Sequence, residues 1–167
     1  MIYDLPLPTD PLDQGDLIDD CPVLALAEFD FGNLMDSPVK SSLQRVVVIT
    51  QTCDLANEKT TAVNVAAVFD AAALVEDKTF KPAEIKGPVR AGRVWGVYFL
   101  PASAELGLDE MIVDLRRLHT VRLDLLLALC QAGKRRGRVR PLYREHLAKH
   151  FADTFSRIGL PRPYETM

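Results

Sequence analysis

The stretch that decides the fold is Arg45-Val46-Val47-Val48-Ile49-Thr50. A continuous β-branched run between polar residues is typical of a strand that is covered on both faces. A polar connection, 51–61, separates it from a second apolar run, 62–69, which predicts another buried strand. Because two strands joined by roughly ten residues pair most simply as neighbours, these runs predict a β-meander at the centre of a sheet.

Shorter apolar runs extend the predicted sheet on both sides of this centre. They predict strands at 15–18 and 22–29 before it, and at 94–100 and 111–115 after it. The segments between them predict a loop at 32–42, a helical turn at 71–77 and irregular chain at 78–93. Prolines and glycines accumulate in the last of these segments, which disfavours regular structure there.

The last third of the chain changes to a helical period. Apolar residues recur every three to four positions from Leu123 to Cys130, which predicts a helix over 121–132. A second apolar stripe from Leu147 to Ile158 ends before Gly159 and predicts a helix over 141–158. We therefore expect an α+β fold in one domain, with a β-rich part at 14–118 and a helical part at 119–167. Residues 1–13 should form an extended acidic arm, mobile unless it docks.

Composition bounds the class of protein. The chain has 167 residues, of which 48% are hydrophobic and 26% are charged, as in an ordinary globular domain. Its three cysteines, Cys21, Cys53 and Cys130, are far apart and form no Cys-x-x-Cys pair, so neither a disulfide framework nor a zinc ribbon is indicated. No leader and no apolar run long enough to span a membrane is seen. We expect a cytoplasmic protein without a metal or another cofactor.

The charges are distributed unevenly along the chain. Residues 1–111 hold 18 acidic and 8 basic side chains, whereas residues 112–167 hold 5 acidic and 12 basic ones. Such a split creates a basic face for an anionic partner, or it lets two parts of the chain attract each other within the fold or across a dimer. From the sequence we favour the second interpretation, an attraction between two parts of the chain.

The strongest local charge is the basic segment, residues 134–140, which lies between the two predicted helices. It carries five basic side chains in seven positions, and Arg144 follows one turn later. One interpretation is a phosphate-binding loop for RNA, in which Arg116 and Arg117 assist. The other is a solvated connection, or a partner for the acidic arm. The candidate nucleic-acid-binding residues are Lys134, Arg135, Arg136, Arg138, Arg140 and Arg144.

The segment 50–54 places a thiol and a carboxylate directly after a buried strand. Loops at strand ends often carry functional residues, so Cys53 is a candidate nucleophile or ligand, with His119 or another histidine as its base. The alternative, which we favour, is a buried thiol in a turn capped by Asp54 together with Thr52. No glycine flanks the thiol and no clear helix start follows it, so nothing in the sequence gives a reason for an activated thiol.

His146 and His150 are four residues apart on the second predicted helix, so they share a face. This is the spacing of a two-histidine metal pair, but a third ligand is not evident and Glu145 does not fit the usual zinc hydrolase pattern. We interpret the pair as part of the solvated stripe beside Leu147 and Phe151.

The block 45–57, followed by Val63-Asn64-Val65-Ala66-Ala67-Val68-Phe69, resembles the core of the MazF/PemK family of toxin endoribonucleases. That family has Arg-Pro-Val-Leu-Val-Ile, then a loop with Asn and Asp, then a Val-x-Val-Ala strand. Gly15-Asp16-Leu17-Ile18 resembles the start of its first strand. The resemblance covers residues 14–70. It implies a small, curved SH3-like β-barrel, here followed by the two C-terminal helices, a homodimer, and cleavage of single-stranded RNA without metal.

The resemblance assigns roles to few residues. Arg45 falls at the family's cationic position, where it would stabilise phosphate charge while the ribose 2′-hydroxyl attacks. The family's Thr or Ser after the second strand is replaced here by Phe69, and the Pro after the arginine by Val46. A nuclease would need another residue to move protons, Thr50 or Asp70, and spacing does not choose between them. The candidate catalytic residues are Arg45, Thr50, Cys53 and Asp54.

Two functions follow from the sequence. The first is a non-catalytic binding or interaction protein on a MazF/PemK-like barrel, a component of a bacterial conflict or toxin–antitoxin system that uses the basic segment for RNA or an acidic protein. The second is a metal-independent endoribonuclease that cleaves single-stranded RNA. The absence of a hydroxyl at Phe69 favours the first.

Overall fold

The computed structural model describes residues 2–26, 28, 30–56 and 60–156, and shows an α+β fold. Its centre is a sheet of seven antiparallel strands in the order β1-β7-β2-β3-β4-β6-β5. The strands are β1 (Tyr3–Asp4), β2 (Asp16–Leu26), β3 (Val39–Val48), β4 (Ala62–Asp70), β5 (Val97–Leu100), β6 (Met111–Arg122) and β7 (Arg135–Val139).

Five helices surround the sheet. They are α1 (Thr52–Ala56), α2 (Ala71–Glu76), α3 (Pro82–Glu84), α4 (Leu123–Gln131) and α5 (Tyr143–Phe155). A 3₁₀ turn, Leu34–Asp36, lies between β2 and β3, and a π-helical segment, Ile85–Val89, follows α3. No helix in the described part of the chain is long and apolar enough to cross a membrane.

The sheet curls around one apolar core. Side chains from all strands meet on its inner face, including Tyr3 of one edge strand and Leu100 of the other, and Leu147 of α5 joins them. The Tyr3 hydroxyl donates a hydrogen bond of 2.7 Å to the carbonyl of Pro101, directly after β5. The two edges of the sheet therefore approach each other through a side chain, although the strand ladder itself stays open.

Two smaller cores cover the outer face. Leu126 and Cys130 of α4 pack on Ile18, Val46 and other residues of β2, β3 and β4. The second outer core joins α2 and the π-helical segment to β5 and β6. Alternate residues of β3 thus point into different cores, which explains why the run 46–49 is apolar at every position.

The central prediction is confirmed, with changes at its margins. The runs around 45–50 and 62–69 form the paired strands β3 and β4. The predicted strands at 15–18 and 22–29 correspond to the single strand β2, which ends at Leu26, because a bulge between Ile18 and Cys21 shifts the register without ending the strand. Positions 27 and 29 of the prediction lie outside the described residues. The predicted loop at 32–42 is wrong at its end, since β3 starts at Val39 and extends the hairpin.

Several other predictions differ from the structure, and the largest difference is in the basic segment. The basic segment contains strand β7 instead of a loop between helices, and its alternating buried and half-buried residues lie second from one edge of the sheet. Strand β6 runs on to Arg122, into the range predicted as helical. The range 78–93 contains α3 and the π-helical segment. The seven strands do not close into a barrel, so the SH3-like barrel is not confirmed.

Candidate functional site

Arg45 lies within β3, at the last position where this strand pairs with β4. Its Nε donates a hydrogen bond of 2.5 Å to Asp19 Oδ1, and its Nη1 donates one of 3.0 Å to Asp70 Oδ1. Nη2 reaches Asp19 Oδ2 at 3.3 Å, and Nη1 lies 3.4 Å from the sulfur of Met111. The guanidinium is therefore held between two carboxylates above the inner core.

Local backbone structure places both carboxylates. Asp19 sits in the β2 bulge, next to Asp20 with a positive φ of 56°, a conformation that Asp tolerates better than most residues. The Asp19 amide is fixed by a hydrogen bond of 2.9 Å to the carbonyl of Lys134. Asp70 ends β4 and occupies the N-cap of α2, but its side chain does not cap the helix. The carboxylate turns to Arg45 instead.

The carboxylates of this cluster compensate the positive charge of Arg45. The hydrogen bond that Arg45 donates to Asp19 raises the pKa of Arg45, outweighing the opposite effect of burial, and the charges of Asp19 and Asp70 add to it. Arg136 Nη1 contacts the same Asp19 carboxylate at 3.3 Å. A phosphate that binds Arg45 must displace carboxylates that already hold it.

A groove of about 450 Å³ adjoins this cluster. It lies between the outer half of β3 and helix α2. The residues that line it are Asp19, Asp20, Leu43, Gln44, Arg45, Val68, Phe69, Asp70, Ala73, Leu74 and Asp77. Phe69, at the position where the resembled family has a hydroxyl, carries the Arg117 guanidinium over its ring at 5.4 Å.

The other candidate catalytic residues lie elsewhere. Thr50 is five residues beyond Arg45 along extended chain, so on the order of 16 Å away. Its Oγ1 accepts a hydrogen bond of 2.7 Å from the amide of Asn64. Cys53 and Asp54 belong to the short helix α1, which the sequence analysis missed, and the Cys53 thiol is exposed instead of buried. The structure brings Asp70, and neither Thr50 nor Cys53, to Arg45.

The six candidate nucleic-acid-binding residues all contact carboxylates of residues 4–20. The ion pairs join Lys134 to Asp20, Arg135 to Asp16, Arg136 to Asp19, Arg138 to Asp13 and Asp16, Arg140 to Asp4, and Arg144 to Asp13. Within the fold, these basic side chains therefore serve the acidic arm and the start of β2. The uneven charge along the sequence is thus an attraction between two parts of the same chain.

The centre of this pairing is buried. Asp16 has no exposed surface, and Arg138 donates to it twice, at 2.6 and 2.9 Å. The Arg135 side chain is only 2% exposed, lies 3.7 Å from Asp16, and donates to the carbonyls of Asp10 and Pro11. Each charge has a partner, and the remaining Arg135 donors meet backbone oxygens or, for Nε, the Cys130 sulfur at 3.2 Å. A buried ion pair requires such partners.

The two histidines of α5 share a face, as their spacing predicts. Their ring centroids are 6.3 Å apart, and both rings contact Tyr98 of β5. The Tyr98 hydroxyl lies 3.3 Å from His146 Nδ1, and burial raises the pKa of Tyr98 to about 12. No group of three or more His, Cys, Asp or Glu that could hold a metal occurs among the described residues.

The acidic arm, which includes Asp13, was one of the predicted alternatives as a partner of the basic segment, but Asp16 and Asp19 were not singled out. The signal was present, because residues 1–20 hold six aspartates and no lysine or arginine. The sequence alone did not reveal the pairing of β7 with β1 and β2, which joins residues between 117 and 136 positions apart. No family model matches the chain, and no curated protein matches its sequence at a significant level.

Proposed function

We propose that this protein is a non-catalytic binding protein on a scaffold related to the MazF/PemK barrels, and that it acts in the cytoplasm as a homodimer in a bacterial conflict or toxin–antitoxin system. The support for the scaffold is the order of elements around Arg45. A strand with a start like that of the family, the central pair β3 and β4, and strong curling of the sheet occur together here.

One observation carries the non-catalytic part of the proposal. Arg45, the cation that a nuclease would use on the scissile phosphate, is bound by Asp19 and Asp70. A transition-state phosphate gains from a cation only when that cation is available to the developing charge. Two carboxylates at this point repel the substrate as well as neutralise the arginine.

We do not propose that the basic segment binds an anionic partner. Its side chains are engaged by the acidic arm, and Arg135 and Arg138 are largely buried. RNA would have to compete with intramolecular ion pairs whose effective concentration is high. We therefore place the binding surface of the protein elsewhere.

A second candidate function is the endoribonuclease. The observation that favours it is the contact between Arg45 and Asp70, which puts a cation and a proton acceptor 3.0 Å apart at the edge of a groove. In that reaction, Asp70 would take the proton of a ribose 2′-hydroxyl as its oxygen attacks the adjacent phosphate. The leaving 5′-oxygen would depart with a proton from solvent.

Incubation with a mixed pool of single-stranded RNA tests the two functions. The purified protein is assayed with and without a chelator, by end mapping and by gel shift, beside Arg45→Ala and Arg122→Ala. Arg122 is an exposed arginine paired with Asp124 and serves as the matched control. We expect intact RNA in every sample. Chelator-resistant cleavage that Arg45→Ala abolishes and Arg122→Ala retains would establish the nuclease instead.

A further inference from the structure

The end of β2, residues 21–26, and the start of β3, residues 39–44, form a two-stranded ribbon. This ribbon extends beyond the rest of the sheet. Strand β7 pairs with β2 only at Asp16, Leu17 and Ile18, and β4 pairs with β3 only from Arg45 to Val48. In the part of the chain that the structure describes, the ribbon has no third strand on either side. Its two outer edges therefore present backbone groups that no ladder uses.

One face of the ribbon is apolar and exposed. Residues opposite each other in an antiparallel pair share a face, and the register aligns Pro22 with Leu43 and Leu26 with Val39. Leu24 lies between them on this face, and it is 69% exposed while Leu43 is 68% exposed. On the opposite face, Cys21 and Val23 are buried. A cluster of exposed aliphatic side chains on a strand pair marks an interaction surface.

The groove beside Arg45 lies where a further strand could pair with β3, in line with β4. Strand β4 occupies this position beside β3 up to Val68, opposite Arg45, and then the chain turns into α2 after Asp70. Beyond that point the groove lies between Leu43 and Gln44 on one side and Leu74 of α2 on the other. An added strand beside residues 39–44 would lie in line with β4, with its side chains in contact with the ribbon and the groove.

The charge around this edge selects the class of partner. Lys40 is the one basic residue of the ribbon, whereas Glu28, Asp30 and Asp36 lie in the connection between its two strands. Asp77 also lines the groove, and the neighbouring Asp20 is paired with Lys134 at 2.6 Å. A negative field of this kind repels nucleic acid and anionic lipid surfaces and attracts lysine and arginine side chains.

We infer that the free edge of β3, residues 39–44, binds an extended segment of a partner protein in which apolar residues alternate with lysine or arginine. The segment adds a strand to the sheet, its apolar side chains cover Leu24 and Leu43, and its basic side chains approach Asp36 and Asp77. This inference rests on the proposed binding function and names the partner's chemistry.

The test uses a random 12-residue peptide library displayed on phage, selected against the full chain. We expect enriched sequences in which basic and apolar residues alternate. A synthetic peptide of an enriched sequence should slow amide hydrogen exchange at residues 39–44, and its affinity should fall as salt is raised from about 50 to 300 mM, because its charges are screened.

Two double variants locate the site. Leu24→Thr with Leu43→Thr removes the apolar face, and Asp36→Asn with Asp77→Asn removes charge while keeping side-chain shape. Each should weaken the peptide by about tenfold or more, the usual cost of removing central contacts. Leu125→Thr and Asp124→Asn, on the exposed surface of α4, are the matched controls and should leave the affinity unchanged. Circular dichroism of all variants verifies that the fold is kept.

Three results would overturn the inference. They are no enriched sequence, enriched peptides that are acidic or that protect residues outside 39–44, and equal binding by the ribbon and control variants. Binding to vesicles of phosphatidylcholine and phosphatidylglycerol that Leu24→Thr/Leu43→Thr abolishes would assign the apolar face to a lipid surface and would also overturn it. Cleavage of RNA in the separate assay would refute the proposed function. Intact RNA without peptide selection would refute this inference alone.

Discussion

Strand β2 takes part in two regions of opposite character. Its first residues lie between β7 and β3, in what we call the charged edge: residues 2–20, β7 and the start of α5. There the carboxylates of the arm meet the arginines of β7, and Asp16 is completely buried. Its last residues belong to the ribbon, which pairs on one side only and exposes leucines.

One part of β2 therefore contributes to stability, and the other part is available for recognition. Buried charges with full partners are costly to disturb, so the charged edge fixes the position of the arm in the fold. Exposed apolar side chains and unpaired edges contribute little to folding and are available to a partner. The functional surface of this protein is therefore expected where the charges are not matched within the chain.

The largest effect is expected from Asp16→Asn in the charged edge. The substitution leaves Arg135 and Arg138 buried without their shared carboxylate, which should lower the free energy of unfolding by about 3 to 5 kcal/mol. Urea denaturation followed by circular dichroism measures the loss. Asp124→Asn, in an exposed pair with Arg122, should leave the transition midpoint unchanged. A similar small effect at Asp16 would remove the basis of the comparison.

A pH effect should arise at Cys21, where the two regions meet. Burial raises the pKa of the Cys21 thiol from 9.0 to about 11. Between these values the unfolded chain releases the proton and the folded chain retains it, so the free energy of unfolding falls as pH rises, by up to about 1.4 kcal/mol per pH unit. Urea titrations at pH 8 to 11 should show a shallower fall for Cys21→Ala. Parallel profiles for both proteins would contradict this origin.

The hydrogen bond that joins the two edges of the sheet should have a moderate effect. Tyr3→Phe keeps the buried ring and removes the donor to the Pro101 carbonyl. We expect the free energy of unfolding to fall by about 1 kcal/mol, the usual net value of such a bond. Tyr143→Phe, at an exposed ring, is the control for the same chemical change in denaturant titrations. Equal midpoints for the two variants would show that the edges approach without help from this bond.

The smallest effect is expected in the ribbon. Leu24→Thr and Leu43→Thr replace exposed side chains with β-branched ones that suit a strand, so the free energy of unfolding should change by less than about 0.5 kcal/mol. The same urea titrations measure it. A loss above that range in either variant would mean that the ribbon belongs to the cooperative core of the protein.

The sequence was most informative where apolar patterning alone decides the structure. The run 46–49 and the run 62–69 are apolar at nearly every position, and β3 and β4 form there as predicted. The prediction for the basic segment was wrong because no apolar pattern marks the strand there. Strand β7 is buried at alternate positions, but Arg135 fills one of them, so the pattern looks like a polar connection.

The candidate site was predictable in part. Arg45 was selected through its resemblance to a family, and Asp70 was one of two alternatives beside it. Asp19 could not be selected, because its position depends on a bulge in β2 that shifts the register by local backbone geometry. The ribbon was missed because residues 39–42 contain Lys40 and two serines, whose strand structure depends on pairing with β2 and not on their own propensity.

The pairing of the arm with β7 has a consequence for the synthesis of the protein. Asp4 meets Arg140, which is 136 residues later in the chain. At about 5 to 20 residues per second, a ribosome needs on the order of ten seconds to produce that partner. The β2–β3 hairpin can form in this interval, but the arm, with Tyr3 among its residues, cannot reach its final place. The carboxylates of residues 4–20 therefore stay in water until β7 has been synthesised, and Tyr3 takes its place beside Val139 only after that.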